Sequence, residues 1–160
     1  MTAWGGLAGA FVGTLVLTTA IRAATELRLT RIDLPFLLGT AFTSDRGRAA
    51  AVGYALHLVA GLAFGAISLA IFAAIGAAGW WRGALLGLVH AAFAGTALVN
   101  VLLPLVHPRM GTPMTDARSA PLLEPPGFLL RNYGTTTPLV MVVVHVVYGA
   151  LVGGFAAGAP

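Results

Sequence analysis

Apolar residues run along this chain in long blocks, and its charged residues are gathered between the blocks. Four blocks are long enough to cross about 30 Å of hydrocarbon, which takes roughly 20 residues at about 1.5 Å each in a helix. They are Trp4 to Ile21, Ala49 to Ile75, Arg82 to Leu105 and Pro138 to Ala157, and none has Asp, Glu, Lys or Arg in its middle. Backbone polar groups inside a membrane must be satisfied within the segment, so each block reads as a helix. The expected fold is all-α: a polytopic membrane four-helix bundle forming a single transmembrane domain over residues 1–160.

Local residues mark some boundaries. Ser44-Asp45 offers a cap and a favourable negative charge where the second span begins. Thr137 is the expected cap of the fourth span, with Pro138 in the first helical position, and Pro104 and Pro108 are expected to end the third.

Arginines set an orientation. Eight of the nine fall in the loops between spans one and two (Arg22, Arg28, Arg31, Arg46, Arg48) and three and four (Arg109, Arg118, Arg131); only Arg82 lies on the other side. Cationic loops resist translocation, so both long loops are expected in the cytoplasm and both termini outside. Trp4, Trp80 and Trp81 fall at the external end, where indoles settle among headgroups. Met-Thr-Ala-Trp lacks the basic start of a signal peptide, so the first block is expected to remain as a helix.

The spans also repeat. Ala10-Phe11-Val12-Gly13-Thr14 returns as Ala92-Phe93-Ala94-Gly95-Thr96, an offset of 82 (Phe11 to Phe93). His57-x3-Gly61-x3-Gly65 returns as His145-x3-Gly149-x3-Gly153, an offset of 88 (His57 to His145). Between them Leu34-Pro35-Phe36-Leu37-Leu38 matches Pro126-Gly127-Phe128-Leu129-Leu130. The expectation is two parallel two-helix repeats, residues about 4–75 and 82–157, with structured cytoplasmic loops. Each Phe-Leu-Leu segment is too short to span, and is expected either to lie at the interface or to plug the inner end of the bundle.

Composition narrows the function classes. With 58% hydrophobic and 9% charged residues, the chain cannot cover a water-soluble globule of this size. The absence of cysteine excludes disulfides and thiolate metal sites. Every basic residue is Arg in an Ala- and Gly-rich chain, as in GC-rich bacterial genomes, and the expected location is the bacterial inner (plasma) membrane. Without lysine there is no phosphate-binding Gly-Lys-Ser/Thr loop. Ser68, the one serine within a span, lacks the setting of a nucleophile. The lipid bilayer and a homodimer or larger membrane complex are the expected partners, with no nucleic acid.

Spacing brings candidate residues onto helix faces. His57 shares a face with Gly61 and Gly65, and His145 with Gly149 and Gly153; Gly5, Gly9 and Gly13 line one face of the first span, and Gly83 and Gly87 one of the third. Such small-residue stripes let helices approach closely, so both histidines should point into the bundle or a subunit interface. Counting at the helical rise puts each about 10 to 12 Å from the cytoplasmic end. Asn100 and Thr18, near that depth, and His90, closer to the outer end and without a partner, are the expected cavity-lining residues, with His107 at the inner mouth.

Three readings of His57 and His145 stand. They could ligate a cofactor, haem b or a metal ion, since neutral imidazole suits haem iron, copper or zinc. They could be a polar patch lining a cavity or path, or they could serve packing alone through hydrogen bonds to a neighbouring helix. Arg109, Arg131 and Asn132, in a loop ordered by prolines and glycines, could bind an anion or lipid headgroup, or the arginines could only set topology.

With its Leu-Pro-Phe-Leu-Leu-Gly-Thr, His-Pro-Arg-Met, Pro-Gly-Phe and Asn-Tyr-Gly-Thr-Thr-Thr-Pro segments, most of the chain resembles uncharacterised four-span bacterial integral membrane proteins. That resemblance implies a four-span fold and carries no activity, cofactor or site. The expected function is therefore a non-enzymatic binding, accessory or carrier subunit. The alternative is a b-haem or metal-binding electron-transfer subunit using His57 and His145.

Overall fold

The computed structural model describes residues 1–110 and 123–158. Arg118 lies outside the described residues. The described residues are helical with connecting turns, and four helices are long and apolar enough to cross a membrane. They are α1 (Ala3–Glu26), α3 (Arg46–Ile75), a compound third span (Trp80–Val106) and α6 (Thr137–Ala157). Between the first two lies a short helix, α2 (Leu34–Gly39). The third span comprises α4 (Trp80–Phe93), a π-helical stretch (Ala94–Leu102) and α5 (Leu103–Val106). A 3-10 turn (Phe128–Tyr133) precedes α6.

The ends of these helices follow from named groups. The Asp45 carboxylate accepts from the Arg48 N–H at 2.8 Å and opens α3, as expected. Gly76 closes it in the left-handed conformation (φ 68°), its N–H turned back to the Ala73 carbonyl. Helix α1 runs beyond its apolar block to Glu26, continued by a turn carrying the Arg22–Glu26 ion pair at 2.6 Å. Hydropathy marks where apolar side chains stop, whereas the helix stops where backbone bonding does.

Two boundary expectations are corrected. Thr137 is not the cap but the first residue of α6, and its hydroxyl pairs with the buried Thr30 hydroxyl at 2.8 Å. Pro104 does not end the third span, which continues to Val106; the chain upstream widens into a π-helix instead. A proline has no N–H to give and crowds the carbonyl four residues back, here that of Asn100. Asn100 itself sends its side-chain amide to the carbonyls of Gly95 and Thr96, at 3.2 and 3.1 Å, within the widened stretch.

The glycine stripes are where the helices meet. Gly83 and Gly149 lie so close that a methyl group on either would run into the other's carbonyl, and Gly87 abuts the His145 carbonyl in the same way. Gly153 packs on Gly79 and Gly83, Gly9 and Gly13 on Val152 and Tyr148, Gly61 on Thr14 and Gly65 on Ala10. Helix α6 thus sits between α1 and α4, with α3 on the far side of α1. The ring is not closed by backbone packing: α3 and the third span meet through Phe64, stacked on His90 and leaning on Phe93.

The two halves are therefore not packed alike. Under the sequence offset Thr14 corresponds to Thr96, yet Gly61 meets Thr14 while Gly149 meets Gly83. Facing glycines on α4 and α6 allow a contact that Thr14 and Ala10 do not. The paired Phe-Leu-Leu segments also differ. Asp33 and Pro35 start a regular helix in α2, whereas Gly127, Leu129 and Leu130 all take positive φ (71°, 52° and 63°).

One end of the bundle carries Trp4, Trp80 and Trp81, all exposed, where the Thr2 N–H bonds the Ala156 carbonyl. The loops occupy the other end and pack into it. Gly39 rests on the backbone of Ala49, and Gly53 on that of Pro35, which seats α2 along α3. His107, buried, bonds the Leu37 carbonyl through Nε2 at 2.8 Å and accepts the Arg109 N–H at Nδ1 at 3.2 Å. Arg31 holds Glu124 with two nitrogens at 3.1 and 3.2 Å and also donates to the Asn132 carbonyl.

Candidate functional site

A cavity of about 190 Å³ lies inside the bundle, lined by His57, His90, His145 and Tyr148 among walls that are otherwise almost wholly apolar. Phe64 closes it on the side between α3 and the third span, and the π-helical stretch contributes Ala94, Leu98 and Val99. Leu38 of α2 and Leu130 of the 3-10 turn form its floor, so both Phe-Leu-Leu segments reach into the bundle through leucines. The phenylalanine of the second, Phe128, is exposed instead.

Each polar lining residue is held from its own or a neighbouring helix. His145 is 4% exposed, and its Nδ1 lies 2.7 Å from the Met141 carbonyl oxygen one turn earlier. His57 Nδ1 lies 2.9 Å from the Thr18 hydroxyl, which in turn donates to the Thr14 carbonyl at 2.7 Å. Tyr148 donates its buried hydroxyl to the Gly61 carbonyl, tying α6 to α3. His57 also borders a second cavity of about 20 Å³ beside Thr18, Arg22 and Asp33. That is room for about one water.

The position of His90 is a correction. Its ring stacks on Phe64 at 3.8 Å and stands edge-on to His145 with centroids 4.7 Å apart, so it is neither alone nor in a different layer. Helix α6 has only 21 residues, about 30 Å at the helical rise. A group about 12 Å from one end and a group about 15 Å from the other are then nearly level.

Asn100 is the second correction: it does not line the central cavity. It is exposed on the outer side of the third span, beside Phe128. Ten residues beyond His90 on the same span, it lies about 15 Å further toward the loop end. Thr18 borders the small cavity and supports His57.

The loop residues do not share one site. Arg131 and Asn132 are exposed, and the Asn132 amide donates to the Pro125 carbonyl at 2.8 Å. Arg109 is half-buried, and its carbonyl accepts the Leu123 N–H. The residue that ties these loops together is Arg31, which sequence reasoning used only for orientation. Tyr133 donates to the Glu124 carbonyl at 2.8 Å, and burial, with the Glu124 carboxylate nearby, pushes its phenol up from the usual range.

The cavity was partly foreshadowed by spacing. Phe64 lies seven residues after His57 and Tyr148 three after His145, both on the histidine face. Nothing in the sequence pairs His90 with His145, because that contact depends on how far α4 slides along α6.

Among the described residues, no three His, Asp or Glu side chains are grouped so as to hold a metal ion. Haem fares no better against the geometry. A cavity of about 150 Å³ accommodates benzene, and a tetrapyrrole is several times larger, so it does not fit the roughly 190 Å³ present here. The arrangement can hold a small apolar molecule and offer it hydrogen bonds from imidazole. No family model, curated protein or solved structure matches the chain.

Proposed function

We propose that this chain is a small bacterial inner-membrane protein that binds a small, mostly apolar molecule inside its bundle, as a binding, accessory or carrier subunit. One observation carries the reading: the cavity of about 190 Å³, apolar except for three imidazoles and the hydroxyls of Thr14 and Tyr148. Polar groups inside a membrane are costly and tend to mark ligand sites or paths. No carboxylate stands among the residues lining the cavity, which disfavours a carboxylate proton relay there. The seam at Phe64 offers a side entrance from lipid, and the small cavity beyond His57 leads toward the loop end, an arrangement compatible with a carrier.

The arginine and tryptophan distribution supports both termini outside and both long loops in the cytoplasm. The matched segments support descent of the halves from a duplicated pair of helices, with the second pair since repacked around its extra glycines.

The test uses fluorobenzene with the purified protein in lipid nanodiscs, read by fluorine NMR. The expected result is a bound resonance distinct from the lipid-dissolved one, lost in Ala94→Phe, which fills the cavity from a buried lining position. A wild-type spectrum identical to that of empty nanodiscs overturns the reading.

A second reading, a metal ion held by His57 and His145, has one observation in its favour. Metal-ligating histidines usually donate their other nitrogen to a carbonyl or similar oxygen, as His145 does to Met141. A reduced-minus-oxidised absorption spectrum, with metal analysis of the same sample, decides between the two.

A further inference from the structure

The cavity presents hydrogen-bonding groups of a defined sign. His145 Nδ1 faces a carbonyl oxygen, which only accepts, so Nδ1 carries the proton. The Thr18 hydroxyl gives its single proton to the Thr14 carbonyl, so toward His57 it is the acceptor, and His57 Nδ1 is again the donor. Two unrelated supports thus select the same tautomer in both rings, leaving each Nε2 a bare lone pair.

Neither Nε2 has a partner among the described residues. Neither is sealed in, since no buried side-chain nitrogen or oxygen there is left without one. Both rings line the same cavity, and His57 also borders the small one, so these are the spaces open to the lone pairs. A proton on either Nε2 would face apolar walls with no carboxylate among the lining residues to receive it. His90, edge-on to His145, makes no side-chain hydrogen bond among the described residues and adds one N–H and one further lone pair.

We infer that the cavity selects an apolar ligand carrying a hydroxyl group, which donates to the Nε2 of His145 or His57 and accepts from the N–H of His90. This rests on the small-ligand reading above and names its ligand class. A hydroxyl both donates one hydrogen bond and accepts another through a single atom. An ether or ketone of the same shape only accepts, leaving the imidazole lone pairs facing another lone pair. Sites built to hydrogen-bond a hydroxyl reject analogues without it far more strongly than apolar pockets reject a changed shape. The volume suits a single ring or a body of similar size.

The test compares fluorobenzene, para-fluorophenol and para-fluoroanisole by fluorine NMR on the whole protein in nanodiscs, each affinity referred to the probe concentration dissolved in the lipid. The expected order is para-fluorophenol tighter than fluorobenzene by about tenfold, as one net hydrogen bond gives, with para-fluoroanisole no better than fluorobenzene. His145→Ala and His57→Ala should each reduce the para-fluorophenol preference while leaving fluorobenzene bound. If both histidine variants fail to fold, the wild-type order alone decides. Fluorobenzene bound without a preference for para-fluorophenol overturns this inference and leaves the small-ligand reading standing. No probe bound overturns both.

Discussion

At the scale of single residues, the glycines carry the closest contacts, and they are not equivalent. Gly149 faces the Gly83 carbonyl, and an added methyl there has nowhere to go because both sides are helix backbone. Gly154, next but four along the same helix, would put its methyl 3.8 Å from the Trp80 side chain, an ordinary contact. Gly149→Ala should therefore destabilise the bundle by about 1 to 3 kcal/mol, while Gly154→Ala changes it by no more than about 0.5 kcal/mol. Thermal unfolding of both variants in one detergent checks this, and equal melting temperatures would contradict the packing described. The stripe through Gly149 and Gly153 was visible in the sequence, with Gly154 off it, but the helix backbone that lies opposite the stripe is recorded by no spacing rule.

At the scale of elements, the loops behave as parts of the bundle. Arg31 bridges the segment after α1 to Glu124 and to the Asn132 carbonyl, while its own N–H reaches the Tyr133 carbonyl at 2.7 Å. The pair is half-exposed to solvent, so its contribution to global stability is small, about 0 to 1 kcal/mol. Arg31→Ala should leave the melting temperature almost unchanged yet speed amide exchange across residues 123–134, measurable by hydrogen–deuterium exchange. Unchanged exchange would mean the backbone bonds and the Thr30–Thr137 hydroxyl pair hold the segment alone. An arginine count predicts which side of a membrane a loop occupies, and says nothing of which carboxylate an arginine meets across ninety-odd residues of chain.

The π-helical stretch belongs to the same scale. Pro104 was legible as a disturbance and misread as an end, because in water a proline in this position usually terminates a helix. In a membrane-spanning segment the freed carbonyls can be satisfied by local widening and by a side chain such as Asn100. The widening turns Ala94, Leu98 and Val99 toward the cavity.

At the scale of the whole molecule, the order α3, α1, α6, third span leaves one seam bridged by side chains. Phe64 is the side chain that bridges it, stacked on His90. Phe64→Ala should widen the seam, so that cavity-bound fluorobenzene exchanges with lipid faster, seen as broadening of its bound resonance, with the fold retained. A bound probe whose linewidth does not change would place its entry elsewhere.

Four spans, their apolar lengths, the glycine faces and the placement of His57 and His145 on those faces were all determined by the sequence, because each depends only on hydrophobicity and helical period. The meeting of His90 with His145, the outward placement of Asn100, the unequal packing of the two halves and the cavity itself were decided by tertiary structure. These depend on how far each helix slides along its neighbour. That sliding is set by which glycines find backbone opposite them, a relation between distant parts of the chain that local pattern does not contain.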